Sequence, residues 1–275
     1  MGEILKEEVR RSLRSRGMLM SLVIGGIIAA AQLIQYQIPK SRWNLTTSAF
    51  EDFPIVYPFS AADSWLSGGA VDLEAFLFFL LIPILAVLPF GTSYFSDRMS
   101  GFLKGVYMRT SRRTYLTAKY IAVFLSGGLA VILPLALNLL CALELLPNLV
   151  PQSVLPHNLI CAANLFYQVY FSHPILYTVI FLCIDFVMGG IWACTALVCS
   201  FLSDYKIVAA VCPFFLQLGI HVICTMLNAI DYSSIYFTQS GYGMKSAVAP
   251  AAYVIIGLTS TWAIFRKKGE TEDIF

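Results

Sequence analysis

Six long apolar segments alternate with short polar ones along the chain. Each has about 20 residues or more, enough for a helix rising about 1.5 Å per residue to cross a hydrocarbon core of about 30 Å. Five of the six contain no Asp, Glu, Lys or Arg, and the fourth contains only Asp185. Because backbone amides in lipid must be paired within the segment, we predict helices. The predicted spans are residues 18–38, 75–94, 120–143, 175–202, 207–230 and 246–265.

The basic residues are distributed unevenly between the connecting segments. Of the 18 Lys and Arg residues, all but Lys40, Arg42 and Lys245 lie on one side of the predicted membrane. Lys and Arg are enriched on the cytoplasmic side of membrane proteins, so this side is predicted to be cytoplasmic. Both termini then lie in the cytoplasm, which an even number of spans also requires.

The composition predicts an all-α integral membrane protein and argues against several other classes. Hydrophobic residues make up 58% of the chain and charged residues 12%, whereas a soluble domain is about 25% charged. The net charge of +2 follows from the topology and predicts no nucleic-acid partner. The seven cysteines include no CxxC pair, so neither a zinc site nor a redox pair is predicted. We expect one transmembrane domain, residues 1–275, with external loops at 39–74 and 144–174.

The N-terminal residues 1–17 have the pattern of an amphipathic helix. Leu5, Val9 and Leu13 fall on one helical face, and basic residues such as Arg10 and Arg14 fall elsewhere. This pattern predicts a helix that lies on the inner membrane surface before the first span. The alternative is a basic tail that only sets the topology.

Residues 95–119 follow the second span and are predicted to contain a short docking helix. The side-chain oxygen of Ser96 or Asp97 is suited to cap this helix, and Thr110 or Ser111 is suited to cap the next one. Apolar residues recur at helical spacing among basic ones, which is typical of a surface that binds a soluble partner. The alternative is a charged connector that only anchors two spans. The apolar residues are Phe102, Leu103, Val106 and Tyr107.

The order of polar residues in this segment is also informative. Asp97-Arg98 and Gly101 precede the short helix, and Ser111-Arg112 and Lys119 follow it. With six spans, cytoplasmic termini and an N-terminal interfacial helix, this order resembles the membrane subunits of bacterial ABC-2 type ABC transporters. In that family the segment contains the coupling helix, which fits a cleft in the ATPase subunit. The resemblance implies coupling roles for Asp97, Arg98, Gly101, Phe102, Leu103, Lys104, Val106, Tyr107, Arg109, Ser111 and Arg112.

The resemblance implies an ATP-driven exporter that requires further chains. The sequence contains no Gly-Lys dipeptide and therefore no GxxxxGK[ST] phosphate loop. We therefore predict no enzymatic activity of the chain itself, and expect ATP and Mg²⁺ to bind to a separate ATPase subunit. A second membrane subunit, identical or related, would complete the pathway in the lipid of the bacterial cell membrane. The expected cargo is an amphipathic peptide or a drug-like molecule.

Two other functions remain open on the sequence. One is an ion-coupled carrier that works alone, and the other is a membrane scaffold or sensor that binds a soluble partner without transport. An intramembrane enzyme is not favoured, because one acid and one histidine form neither a metal triad nor a nucleophile with its base. The motifs HExxH and GxSxG are also absent from the sequence.

Asp185 and His221 are the polar residues that stand out deep within the predicted spans. Their positions in the fourth and fifth spans place them at similar depth, since each lies about ten residues or fewer from the external side. Intramembrane charge is costly and usually faces protein or water. We therefore predict that the two side chains pair, or that Asp185 stays protonated. A structural clasp, a substrate contact and a role in proton movement are the alternatives.

Glycines and prolines within the spans predict how the helices pack and bend. Gly127-Gly128 and Gly189-Gly190 are small enough to allow close helix contact. Proline removes a helical hydrogen bond and favours a kink. The predicted kinks are at Pro83, Pro89, Pro134, Pro213 and Pro250.

Overall fold

The computed structural model of the protein describes residues 2–46, 57–70, 72–151, 160–202 and 204–271. Within these ranges the chain is helical and has no β-strand. Six helices there are long and apolar enough to cross a membrane, so the prediction of six helices of spanning length is confirmed. The α-helices are α1 Gly2–Leu13, α2 Arg16–Gln32, α3 Ile38–Thr46, α4 Ala61–Ser64, α5 Leu73–Phe90, α6 Ser93–Met99, α7 Phe102–Arg109, α8 Arg112–Leu145, α9 Tyr167–Ser172, α10 Pro174–Cys199, α11 Lys206–Met226, α12 Ser234–Phe237 and α13 Val248–Thr271.

The first spanning helix is longer than the apolar segment that predicted it. It begins after Ser15, whose Oγ accepts a hydrogen bond from the Met18 amide at 3.0 Å. A π-helical turn over Leu33–Gln37 joins α2 to α3, so the helix continues to Thr46, within the predicted external loop. Residues 47–56 and 71 of that loop, and 152–159 of the second predicted loop, lie outside the described residues.

The predicted cytoplasmic segment 95–119 is divided between three helices. Ser96 and Asp97 lie inside α6, so neither caps the short helix, and that prediction is wrong. Helix α7 instead begins after Gly101, whose φ of +72° is in the left-handed region that favours glycine. Ser111 does cap α8, because its Oγ accepts a hydrogen bond from the Thr114 amide at 3.3 Å. Helix α8 therefore begins well before the predicted span at residue 120.

Helices α8 and α10 pack along each other at the centre of the bundle, and glycines bring them close together. A Cβ atom on Gly127 would lie 2.4 Å from the Ala193 side chain and 3.0 Å from the Gly189 carbonyl oxygen. Any larger residue at Gly127 would therefore force the two helices apart. The close contact predicted from the two Gly-Gly pairs is confirmed.

Two prolines in α5 free backbone carbonyls, and neighbouring helices pair with both of them. Pro83 cannot bond the Phe79 carbonyl, which instead accepts a hydrogen bond from Gln217 Nε2 in α11 at 2.9 Å. Pro89 cannot bond the Leu85 carbonyl, which accepts one from an α2 hydroxyl at 2.7 Å. The second spanning helix is thereby tied to the first and the fifth. The α2 hydroxyl belongs to Ser21.

The remaining prolines differ in position along their helices. Pro134 and Pro213 lie inside α8 and α11, as predicted for kink sites. Pro250 lies in the first turn of α13, where the backbone amide would have no helical partner in any case. Because Pro250 removes no helical hydrogen bond there, the prediction of a kink at Pro250 is wrong.

The N-terminal and C-terminal helices meet at the same end of the bundle. Helix α1 packs on α8, and Arg113 near the start of α8 binds Glu270 in the last turn of α13 at 3.2 Å. We call the end that contains α1, α7 and the last turn of α13 the basic end. Six spanning helices return the chain to the end at which it began.

Candidate functional site

The basic end contains two buried charges in direct contact. Asp97 in α6 is 1% exposed and Lys119 in α8 is fully buried. Lys119 Nζ lies 2.6 Å from Asp97 Oδ2 and 4.2 Å from the centroid of the Phe90 ring. Because an unpaired buried charge is strongly destabilising, each ion depends on the other. The pair joins the end of the second spanning helix to the third.

Helix α1 supplies two further charges to this pair. Glu8, which is buried, accepts a hydrogen bond from Lys119 Nζ at 2.9 Å. Arg11 donates to both carboxylate oxygens of Asp97, from Nη1 to Oδ2 at 3.2 Å and from Nη2 to Oδ1 at 2.5 Å. Leu13, in the predicted apolar stripe, is 42% exposed. Helix α1 is therefore held on the bundle through ions as well as apolar contacts.

Aromatic rings complete the site and extend it to α7. The Tyr115 hydroxyl donates a hydrogen bond to Asp97 Oδ2 at 2.8 Å. The Arg11 guanidinium lies 5.3 Å from the centroid of the Phe102 ring, within the range of a cation–π contact. Phe102 is the first residue of α7, so the site reaches the predicted coupling helix. We call Glu8, Arg11, Asp97, Tyr115 and Lys119 the ion cluster.

The formal charges of the ion cluster cancel. Two carboxylates face one ammonium and one guanidinium, so the cluster has no net charge, and the Arg11 side chain, 44% exposed, lies at its outer edge. Burial tends to lower the pKa of Arg11, but the hydrogen bond and charge of Asp97, with the charge of Glu8, raise it above the ordinary value. Replacing any one of the four ions by a neutral residue would leave an uncompensated charge in a poorly hydrated site.

Helix α7 presents one face to the bundle and the other to the surroundings. Leu103 is fully buried, and Val106 and Tyr107 are half-buried, so these three residues pack mainly against their own chain. Met108 is 77% exposed and Phe102 is 48% exposed. The exposed face of α7 therefore contains fewer apolar side chains than the four predicted. It consists of Phe102, Lys104, Gly105, Met108 and Arg109.

The other predicted coupling residues lie around α7 and make different contacts. Arg98 points to the loop between α10 and α11, where its Nη2 lies 3.8 Å from Asp204 Oδ1. Arg112 donates from Nη1 to the Glu270 carbonyl oxygen at 3.1 Å and covers the Tyr107 ring. Arg98 therefore connects α6 to the loop between α10 and α11, and Arg112 connects α8 to α13.

These contacts hold α1, α6, α7 and α8 together as one unit.

No family model, curated protein or solved structure matches the chain. The function of the basic end is therefore interpreted from its geometry. Within the described ranges, no group of three or more His, Cys, Asp or Glu side chains is arranged to hold a metal ion.

Asp185 and His221 do not pair, so the first of the two predicted alternatives is wrong, and a protonated Asp185 stays a prediction. Asp185 in α10 is fully buried, and neither carboxylate oxygen has a hydrogen-bond partner among the described residues. His221 Nδ1 lies 3.0 Å from Ser233 Oγ, and its ring stacks on Tyr236 with centroids 5.7 Å apart. The imidazole faces the segment that follows α11, whereas Asp185 is enclosed in the bundle. Similar depth did not ensure that the two side chains face each other.

Three buried amide side chains form a second polar cluster, far from the basic end along α2 and α8. Gln37 Nε2 donates to Gln32 Oε1 at 2.9 Å and to Asn138 Oδ1 at 3.0 Å. Residues five apart in an α-helix point in different directions, but the π-turn over Leu33–Gln37 places both glutamines on the buried side. This cluster fastens the first spanning helix to the third.

Sequence reasoning missed Glu8, Arg11 and Tyr115 of the ion cluster. One signal in the sequence points to Glu8, because Ile4, Glu8 and Ser12 form a helical stripe as regular as that of Leu5, Val9 and Leu13. The amide cluster also had a signal, because amide side chains are uncommon in apolar spans and usually face protein. Neither signal identifies the partner of each residue.

Proposed function

We propose that the chain is the membrane-spanning subunit of an ATP-driven exporter of the ABC-2 type. The observation that supports this most is a short helix, α7, which has an exposed face, a buried anchor at Leu103 and a cation–π contact from Phe102 to Arg11 of the ion cluster. A helix in this position is suited to bind a separate ATPase chain. Its movement would reach the second and third spanning helices directly.

The connection from α7 to the spanning helices has two parts. Leu103 anchors α7 in the bundle, and Phe102 packs on Arg11 of the ion cluster. Asp97 and Lys119 then link α6 to α8. Because Leu103, Asp97 and Lys119 are buried in a packed site, rotation of these side chains alone would not absorb a displacement of α7. It would shift α6 and α8 together.

The proposal assigns ATP and Mg²⁺ to a partner chain, because this sequence has no phosphate loop. ATP binding would draw two ATPase subunits together under two membrane subunits. The second membrane subunit, identical or related, would complete the pathway for an amphipathic peptide or drug-like cargo. In this proposal the basic end faces the cytoplasm of a bacterial cell, as the positive-inside rule predicts.

The test uses Met108→Glu on the exposed face of α7. The introduced carboxylate would face an apolar contact, and we expect retention of the ATPase chain to fall about tenfold or more. The tagged protein is extracted gently from its native membrane, and bound chains are identified by mass spectrometry. The wild-type protein should retain a stoichiometric soluble chain with a phosphate loop.

Leu45→Glu is the matched control. Leu45 is 84% exposed and lies in α3, at the end of the first spanning helix that is opposite the basic end. This variant should retain the ATPase chain as the wild type does. Equal retention in the Met108→Glu and Leu45→Glu variants, or no such chain with the wild type, would contradict the proposal.

One observation favours a second function, an ion-coupled carrier. Asp185 is a buried carboxyl group without a hydrogen-bond partner among the described residues, and intramembrane acids serve as proton sites in carriers. The ion cluster offers no comparable support, because its ions are mutually paired. We therefore rank the carrier second.

A further inference from the structure

A groove open to the outside of the bundle lies between α10, α11 and α13. Its volume is about 410 Å³, and most of its lining is apolar. Ile256 and Ile264 on α13 line it and are 65% and 43% exposed, so the groove is open on its outer side. The inner wall is formed by side chains of α10, among them Ile191 and Trp192.

The groove is elongated along α13. Its lining runs from Ala252 to Ile264 on one face of this helix, a rise of about 18 Å at about 1.5 Å per residue. This exceeds half of a hydrocarbon core of about 30 Å. An extended hydrocarbon chain matches this shape better than a compact ligand does.

Basic residues continue the same face of α13 beyond the groove. Lys267 and Lys268 follow Ile264 by three and four residues, so they lie on the same side of the helix. Both are exposed, and neither forms an ion pair with another described residue. The adjacent Arg266, in comparison, binds Glu270 at 3.0 Å. The groove therefore leads to two positive charges at the basic end.

We propose that this groove binds an acyl chain of an anionic phospholipid, with the phosphate held by Lys267 and Lys268. The apolar lining would accommodate the chain, and basic residues beside a spanning helix attract anionic headgroups. The lipid would come from the leaflet at the basic end. This site lies apart from α7 and goes beyond the proposed exporter function, because it does not require an ATPase chain.

The test compares two lipids with identical acyl chains by native mass spectrometry of the purified full-length protein. Phosphatidylglycerol carries a net negative charge and phosphatidylcholine does not. The wild type should retain phosphatidylglycerol at a lipid concentration about tenfold lower than it needs to retain phosphatidylcholine. Each lysine near the membrane surface adds to the attraction for the anionic headgroup. Lys267→Gln with Lys268→Gln should remove this preference. Lys6→Gln with Arg14→Gln removes two positive charges elsewhere at the basic end and should keep the preference.

The acyl-chain part of the proposal is tested at Ser260, which lines the groove. Ser260→Trp should fill the groove and abolish lipid retention. Thr259→Trp is the control, because Thr259 precedes Ser260 in α13 and is exposed but does not line the groove. The Thr259→Trp protein should still retain lipid. Ser260→Leu is a smaller change that tests the same point if the tryptophan variant fails to fold.

Three results would overturn the proposal. The first is equal retention of the two lipids by the wild type. The second is lipid retention in folded Ser260→Leu or Ser260→Trp protein equal to that of Thr259→Trp. A wild-type dimer that Ser260→Trp splits, with lipid retention unchanged, would also overturn it, because a second copy of the chain would then occupy the groove.

Discussion

Two buried acids in this bundle have opposite surroundings. Asp97 at the basic end contacts Lys119, Arg11 and Tyr115. Asp185 in α10 is buried as completely, yet neither of its oxygens has a hydrogen-bond partner among the described residues. A carboxylate with three partners holds several helices together, whereas an unpaired one contributes no such link. Burial alone therefore does not identify the acid that organises the bundle.

The largest expected effect comes from removing the central cation of the ion cluster. Lys119→Gln leaves two carboxylates with one guanidinium, so a net negative charge remains buried. We expect a loss of about 3–5 kcal/mol in the free energy of unfolding. Detergent-induced unfolding of the purified protein, followed by circular dichroism, measures this change.

Two variants control this experiment. Lys206→Gln removes an exposed lysine at the start of α11 and should change stability by less than about 0.5 kcal/mol. Asp97→Asn combined with Lys119→Gln restores charge balance and should recover part of the loss. If Lys119→Gln costs no more than Lys206→Gln, the ion cluster does not stabilise the bundle.

Gln217 provides an intermediate case, because it is a neutral polar group that has partners within the spanning region. It is 2% exposed, and its amide pairs with the Phe79 carbonyl that Pro83 leaves free. Gln217→Leu should cost about 1 kcal/mol in the same unfolding assay, since the carbonyl loses its partner. Gln35→Leu makes the same change at an exposed position and should have little effect. Equal losses in both variants would show that the Gln217 hydrogen bond is not stabilising.

The lengths of the six apolar segments predicted most of the fold. Each of the six apolar segments forms a helix of spanning length, because a helix pairs its own backbone amides in lipid. The ends of the spanning helices were predicted less well, because charged residues indicate where the membrane ends and not where the helix ends. The Ser111 cap correctly predicted a helix that includes Lys119, but the apolar segment began only at residue 120, and Lys119 is buried beside its ion-pair partners. Thr46 likewise lies in a helix and not in a loop.

The candidate site was predicted in part, and the missing part depends on contacts distant in sequence. Local spacing identified the segment around α7 and the capping role of Ser111. The partners of Lys119 are 22 and 111 residues away, at Asp97 and Glu8. No periodicity within a helix indicates which helix lies beside it. The same limit explains why Asp185 was paired with His221, since depth along a span does not specify the direction of a side chain.

Asp185→Asn gives the smallest expected change in stability and separates the two proposed functions. No described hydrogen bond is lost and the side-chain volume is nearly unchanged, so the free energy of unfolding should change by less than the smallest net contribution of a hydrogen bond, about 0.5 kcal/mol. Asp97→Asn makes the same substitution within the ion cluster and should cost several times more. A cost at Asp185 as large as that at Asp97 would mean that Asp185 has a charged partner.

Transport by the Asp185→Asn protein, reconstituted with and without the ATPase chain, gives the second measurement. An ATP-driven exporter coupled through α7 should keep its ATP-dependent transport, because the ion cluster and the exposed face of α7 are unchanged. A carrier that moves a proton through Asp185 should lose transport driven by a pH gradient, because an amide cannot exchange that proton. The buried but unpartnered acid would then carry the function, and the fully paired one would serve only to hold the helices together.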